Sequence, residues 1–281
     1  MAGYSKLTTE SVNEKTRDID KKSALEIARA INEEDKTVAF AVERALPEIA
    51  KGIETLAETI KNGGGVYYCG AGTSGRLGVL DASECVPTFG VSPETFVGLM
   101  AGGTAALYES HETAEDDLYS IADQLKERGF GKKDALVAIS ASGSANCVKG
   151  ALMYAKQKGA KTLCVTCNPN SDLVPMCEIP IVAEVGPEVI TGSTRMKAGT
   201  AQKMMLNMLS TGAMIRCGRV RGNYMAYMIP NNKKLADRAV RMITAKTGCA
   251  RKRAEEELAK HGGRIYEAMD EIEKDGIEKI E

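Results

Sequence analysis

A doubly wound α/β protein, with helices on both faces of a five-stranded parallel sheet, is the architecture this sequence predicts. Three observations predict it. Five short apolar runs, VYYCG (66–70), TFVGLM (95–100), DALVAIS (134–140), TLCVTC (162–167) and PIVAEV (180–185), recur with helical stretches between them. Two of the runs lead into Gly- and Ser-rich turns that open a helix. The chain before the first run and after the last is charged and amphipathic at helical spacing. Strands separated by helices pair in parallel, because each crossover needs the length of a helix to return the chain to the same edge. Five such strands suit the flavodoxin-like order.

In chain order, residues 5–62 read as helix from the three-to-four spacing in DKKSALEIARAINEEDKTVAFAVERALPEIAKGIETLAETI. Gly63-Gly64-Gly65 ends that pattern before the first strand. Helices are predicted over 75–86, 104–128 and 145–158, with a short turn near 170–176. TGSTRMKAGTAQKMMLNMLSTGAM follows the last strand, and its second half is apolar on nearly every side, which predicts a buried helix. GRVRGNYMAYMIPNN is a connector, punctuated by Gly218, Gly222 and Pro230. Residues 232–281 break near Thr247-Gly248 and Gly262-Gly263, giving a small bundle of three short helices.

A chain of 281 residues with 43% hydrophobic residues can build a packed core. With 27% charged residues and a net charge of -1, it carries no electrostatic footprint for nucleic acid or an anionic membrane. No apolar run reaches membrane-spanning length, and MAGYSKLTTESVNEK lacks the apolar core of a signal peptide. A soluble, cytoplasmic protein is expected. The eight cysteines are scattered, mostly in apolar surroundings. Cys164 and Cys167 form a CxxC, but it ends an apolar run and lacks a second ligand pair, so core thiols on a strand are the reading. With His111 and His261 the only histidines, a zinc site is not expected.

Four motifs carry chemistry. Cys69-Gly70-Ala71-Gly72-Thr73-Ser74-Gly75-Arg76 sits where a strand hands over to a helix. Glycines there let a ligand approach the backbone, and free N–H groups at a helix start favour an anion such as phosphate. Thr73 and Ser74 add hydroxyls. The plainer reading is a tight turn without a ligand. Gly70, Gly72 and Gly75 also fit GxGxxG, but a Thr-Ser pair fills the turn and no acidic residue clearly ends the next strand, so a dinucleotide site is not expected. The second motif, Ser140-Ala141-Ser142-Gly143-Ser144, occupies the equivalent end of another strand. Alone it could be helix capping. Together, the two turns face one crevice at the carboxyl edge of the sheet, where such folds bind ligands.

The third set is carboxylates: Glu84, Glu112 and Glu115. Acidic residues near helix starts are commonly dipole partners. Glu84 differs, because Ala82, Cys85, Val86 and Pro87 surround it in sequence. A carboxylate in an apolar pocket has a raised pKa and can donate a proton. Glu115, beside Asp116 and Asp117, is from periodicity alone as readily a dipole partner or solvated acid as a catalytic group. In the fourth motif, Thr191, Ser193 or Thr194 could cap the buried helix, with Glu188, Arg195 and Lys197 at its mouth. Capping with solvated charges competes there with a lined site.

CGAGTSGRLGVLDASECVPTFG, GPEVITGSTRMKAGTAQKMMLNMLSTGAM and the opening LTTESVNEKTRDID resemble the N-acetylmuramic acid 6-phosphate etherases across most of the chain. That resemblance implies a sugar-isomerase sandwich acting as a homodimer, with no metal or organic cofactor, in amino-sugar metabolism and cell-wall recycling. The helical spacing up to residue 62, the glycine break after it and the connector from Gly218 divide the chain into 1–62 (helices packing on the core), 63–217 (phosphosugar binding) and 218–281 (connector and bundle). The resemblance also implies a lyase reaction on a sugar phosphate. The ring-opened sugar loses its carbon-2 proton, the carbon-3 ether leaves as D-lactate, and water adds to give N-acetylglucosamine 6-phosphate. Glu84 matches the family's acid and Glu115 its carbon-2 base. Thr73, Ser74, Ser140, Ser142, Ser144, Glu188, Ser193 and Lys197 are the expected substrate contacts. Ten residues of helix place Glu84 about 15 Å beyond Ser74, so either the helix bends or Glu84 serves a partner subunit's site. Two departures stand out. The etherases read SGRTPYV where this chain has Ser142-Gly143-Ser144-Ala145-Asn146-Cys147-Val148, and Val12 replaces an arginine. Ser140 and Ser144 resemble the related glucokinase regulatory proteins, which leaves a non-catalytic sugar-phosphate sensor, or an aldose–ketose isomerase, as alternatives.

Overall fold

A computed structural model describes residues 7–277. The sheet holds five parallel strands, β1 (Val66–Gly70), β2 (Phe96–Met100), β3 (Ala135–Ile139), β4 (Lys161–Thr166) and β5 (Ile179–Val182), in the order β2-β1-β3-β4-β5. The predicted class and the flavodoxin-like order are both observed. β1 and β3 are buried at every position, while the edge strands β2 and β5 are only partly so. Central strands of a parallel sheet are covered on both faces, which is why they read as continuous apolar runs.

Helices α1 (Ala24–Asp35), α2 (Val38–Glu43) and α3 (Leu46–Lys61) precede the sheet. Ser23 caps α1 in a reciprocal capping box with Glu26, and Pro47 stands in the first turn of α3. α4 (Gly72–Phe89) follows β1, α5 (Ser120–Glu127) follows β2, α6 (Asn146–Lys158) follows β3, and α7 (Lys197–Arg216) follows β5. Ile121 and Leu125 of α5 pack with Val148, Ala151 and Leu152 of α6 on one face of the sheet. On the other face α3 and α7 meet so closely that a Cβ on Gly52 would lie 2.7 Å from Leu209 Cδ2.

Two stretches predicted as helix differ. Residues 7–22 form short 3-10 turns at Thr8–Glu10, Glu14–Thr16 and Ile19–Lys21. Their Thr and Asn side chains bond distant backbone and side chains instead of extending a helix: Thr16 Oγ1 donates to Val189 O at 2.8 Å and Asn13 Nδ2 to Pro187 O at 3.4 Å. Residues 5 and 6 lie outside the described residues. Within 104–128 only α5 is α-helical; Thr104–Leu107 and Glu112–Glu115 are 3-10 turns. Arg76 explains the first of these. It donates to the carbonyls of Ala106, Leu107 and Glu109, which a continuing helix would need as its own acceptors.

The chain divides into two compact units. One holds the described residues up to Ser83 with Pro93–Ala213, and the other holds Glu84–Ser92 with the described residues from Met214 onward. The second contains α8 (Lys233–Thr247), α9 (Arg251–Lys260) and α10 (Ile265–Ile277) around a core that includes Ile243, Leu258, Ile265 and Met269. Asn232 caps α8, and Gly248 ends it with φ +73. The expected three-helix ending is therefore present. Among the described residues no helix is long and apolar enough to cross a membrane.

Candidate active site

β1 ends at Gly70 and α4 begins two residues later. A Cβ on Gly75 would stand 2.5 Å from Gly70 O, so only glycine lets the first turn of α4 fold back against its own strand. This aims the first-turn N–H groups of α4 at the carboxyl edge of the sheet. The Ser140–Ser144 turn lies beside it after β3, next to β1. Gly143 has φ +73, and a Cβ there would lie 2.1 Å from Ser171 Cβ.

Between the two turns lies a pocket of about 110 Å³, walled by Gly72, Thr73, Ser74, Ser140, Ser142 and Glu115, with Thr194 contributing from the loop before α7. Ser140 Oγ accepts from Gly143 N at 3.1 Å, so its own proton is available to a ligand. Ser142 and Ser144 share a hydroxyl bond of 2.7 Å. A second pocket of similar volume adjoins, lined by Arg76, Ser110 and His111, and it shares Ala71, Gly72 and Glu115 with the first. Glu115 thus stands between a hydroxyl-rich chamber and one that carries a guanidinium. The residue is exposed, yet partial desolvation, with Asp116 and Glu10 adding like charge, pushes its carboxyl above the usual range.

Of the residues expected at the site, Thr73, Ser74, Ser140, Ser142 and Glu115 line one pocket, and Ser144 does not line it but bonds to Ser142. The others lie elsewhere. Glu188 is fully buried, and its carboxylate accepts from Lys197 N and Ala198 N, both at 2.9 Å, sealing the start of α7. Lys197 is buried and donates to Glu34 Oε2 at 2.6 Å. Burial opposes the charge on Glu34, but the bonds from Lys197, Lys15 and Asn13 outweigh it and hold the carboxyl below its ordinary value. Ser193 is half-buried and does not line the pocket; its neighbour Thr194 does. Glu84 is exposed, in contrast to the apolar setting its sequence neighbours suggested. Ala82 and Cys85 are buried on another face of the same helix, because adjacency in a helical sequence is not adjacency in space. Glu115 is exposed as well, yet it lines the pocket, and its carboxyl is raised above the usual range. The side chain of Glu112 lies outside the described ones. Val12 is 51% exposed.

Sequence reasoning missed Asn168. It is buried after β4, where its Oδ1 accepts from Thr8 N at 2.8 Å and Thr8 Oγ1 at 2.7 Å. Its Nδ2 donates to Ala141 O at 3.1 Å and Ser142 O at 3.2 Å. It ties the opening segment to the serine turn. The available signal was a polar residue at a strand end on the ligand-binding edge. Cys164 lies in β4 and Cys167 just after it, both buried; desolvation, with Glu188 nearby, pushes the Cys167 thiol up to about 12. A thiol in that state is inert packing.

The glucokinase regulatory protein N-terminal SIS domain matches residues 48–156, and the SIS domain matches residues 117–212. An N-acetylmuramic acid 6-phosphate etherase of Clostridium botulinum (strain Langeland / NCTC 10281 / Type F) is 53% identical over 253 residues, covering 90% of this chain and 84% of the relative. One from Photorhabdus laumondii is 49% identical over 263 residues, covering 94% and 87%. Among solved structures, a phosphoheptose isomerase from Francisella tularensis superposes with a TM-score of 0.52 at 17% identity, covering 68% of this chain and 98% of that one. A phosphoheptose isomerase from Neisseria gonorrhoeae gives 0.51 at 16% identity, again covering 68% and 98%. At such identity the two structures speak for the fold alone.

Proposed function

The chain belongs to the N-acetylmuramic acid 6-phosphate etherase family, and on that premise we propose that it is an enzyme cleaving the D-lactyl ether of N-acetylmuramic acid 6-phosphate, a carbon–oxygen lyase. The observation that carries the reading is the placement of Glu115, a carboxylate that lines the same pocket as Thr73, Ser74, Ser140 and Ser142. In this reading Thr73, Ser74, Ser140 and Ser142 hold the phosphate with the first-turn N–H groups of α4. Glu115 takes the proton from carbon 2 of the open-chain aldehyde. The carbon-3–oxygen bond breaks, the departing oxygen gains a proton and leaves as D-lactate, and water adds at carbon 3. Glu115 returns a proton to carbon 2. A base that must both take and return a proton works best with a pKa raised towards the working pH.

The leaving oxygen needs an acid, and we assign it to Glu84 of a second subunit in a homodimer. Support comes from Glu84's exposure and from exposed Leu80 one turn earlier on the same face of α4. Incubation with N-acetylmuramic acid 6-phosphate should release D-lactate. Glu84→Gln should stop that release yet still wash solvent deuterium into carbon 2, and Glu115→Gln should lose both. Lactate release at the parent rate from Glu84→Gln would return Glu84 to a solvated helix face. A sensor role is the second reading, favoured by the regulatory-protein match over 48–156. Sugar-phosphate binding without any lactate release would select it.

A further inference from the structure

The two chambers that meet at Glu115 differ in charge. The first, walled by Thr73, Ser74, Ser140 and Ser142, offers hydroxyls and no cationic side chain, with Ser74 Oγ 3.0 Å from the side-chain amide of buried Gln202. The second, of about 110 Å³, combines Arg76, Ser110 and His111 with the apolar Met100, Ala101 and Ala106. Among the described residues, Arg76 is the only permanent cation that lines either chamber.

Arg76 is half-buried, early in α4. Its Nε donates to Leu107 O at 3.0 Å, and its Nη2 donates to Ala106 O at 2.8 Å and to Glu109 O at 3.0 Å. These acceptors are neutral carbonyls, so they fix the guanidinium in place without neutralising it. The N–H groups of Nη1 have no partner among the described residues and are not sealed from solvent. Glu115 lines the same chamber but makes no ion pair with Arg76, and the neighbour of the Glu109 carboxylate is His111, at 3.9 Å. A charge drawn partly out of water is costly until an opposite charge meets it. A guanidinium held by three bonds, with one nitrogen left open, is pre-organised for a carboxylate.

We propose that the second chamber binds the lactyl group, with Arg76 Nη1 donating to its carboxylate and Met100, Ala101 and Ala106 receiving its methyl. This rests on the etherase reading and deepens it. The sugar phosphate of that reading carries two anions, the phosphate on carbon 6 and the carboxylate of the ether on carbon 3. With the phosphate in the first chamber and the carboxylate in the second, carbons 2 and 3 fall at the junction, where Glu115 stands. Neither the serine turn, Ser142-Gly143-Ser144-Ala145, nor Val12 offers a cation in this chain. Arg76 supplies one from the other strand-end turn. A sugar phosphate without the ether leaves that cation unmet, so the chamber also separates an etherase substrate from an isomerase substrate.

The test is calorimetry on Glu115→Gln, a variant that should hold the substrate uncleaved. The ligands are N-acetylmuramic acid 6-phosphate, the same sugar with its lactyl carboxyl converted to a carboxamide, and N-acetylglucosamine 6-phosphate. The acid should bind about ten- to hundredfold more tightly than the amide, the scale of hydrogen bonds to a charged group. Adding Arg76→Gln should make acid and amide equal and leave N-acetylglucosamine 6-phosphate unchanged. A role for Arg76 in supporting the 104–109 turn alone would weaken all three ligands together. Equal binding of acid and amide by Glu115→Gln, a preference for the acid that survives Arg76→Gln, or an equal loss for all three ligands would each overturn the proposal. If Arg76→Gln does not fold, Ser110→Asp takes its place. Ser110 is exposed where it lines the chamber, and a carboxylate there should abolish the preference for the acid. An undiminished preference overturns the placement. Failure of the parent to release D-lactate would sink the etherase reading and leave the comparison of acid with amide intact.

Discussion

The first turns of α6 and α7 are finished in opposite ways. Ala145, at the N-cap of α6, has no side-chain acceptor, and the turn faces the pocket through Ala145 and Ser142. The first turn of α7 is closed by Glu188, one oxygen on each of two backbone N–H groups. An anion can be received where the N–H groups are left unmet and cannot where a buried carboxylate already holds them. In sequence the two stretches look alike, polar and glycine-bearing before a helix. What separates them is whether the acceptor is built into the chain or brought by the ligand.

The largest effect expected from breaking the open side is at Glu115. Glu115→Gln should lower kcat by about 10²–10⁴, the usual consequence of removing a general base, while calorimetry should find N-acetylglucosamine 6-phosphate still bound. Loss of binding instead of turnover would make Glu115 a part of the pocket wall. On the closed side, Glu188→Ala should act on stability. It removes two charge-assisted bonds inside a fully buried setting, for a loss of about 3 kcal/mol. The thermal midpoint should drop, and the folded fraction should bind the phosphorylated sugar as before. Weaker binding at unchanged stability would erase the distinction between the two helix starts.

A smaller effect sharpens the contrast with a third carboxylate, away from either first turn. Asp81, on α4, is buried and accepts from Asn207 Nδ2 at 2.6 Å and Ser210 Oγ at 3.2 Å, with Tyr68 also bonded to it. Desolvation outweighs these donors and raises its carboxyl above the ordinary value. The stability tied to a raised acid is fully present below the unfolded-state pKa and declines as pH rises through the folded one. Asp81→Asn removes that decline. It should raise stability at neutral pH and change it much less under acid, as urea unfolding at the two conditions would show. Equal effects at both would mean that Asp81 is not the titrating group.

The sheet was legible because β1 and β3 are buried at every position and the crossovers that carry α4, α5 and α6 have helical periodicity; β1 to β5 fall where the apolar runs predict. The serine turns were legible for a related reason, since parallel strands bring their carboxyl ends to one edge. Less could be read at 188–197 and at Glu84. Polar side chains that cap a helix, pair in the interior or face solvent share one composition, and only three-dimensional neighbours tell them apart. Glu188 and Lys197 were drawn to the pocket by sequence proximity and belong to the interior. Asn168 and Gln202 were invisible for the converse reason: their partners Thr8 and Ser74 lie 160 and 128 residues away.

The bonds of Asn168 to Thr8 and of Thr16 to Val189 span 160 and 173 residues. Loops of that length close late, because their entropy is lost before their contacts are gained. On a ribosome the opening segment emerges long before its anchor after β4 exists. It must wait, unpaired, until most of the sheet has been made. The serine turn, whose carbonyls Asn168 also holds, reaches its final shape in that same closing step. A sheet assembled without residues 7–16 would have its strands in order and an unfinished binding edge, so competence for the sugar should follow the pairing of the strands and not accompany it.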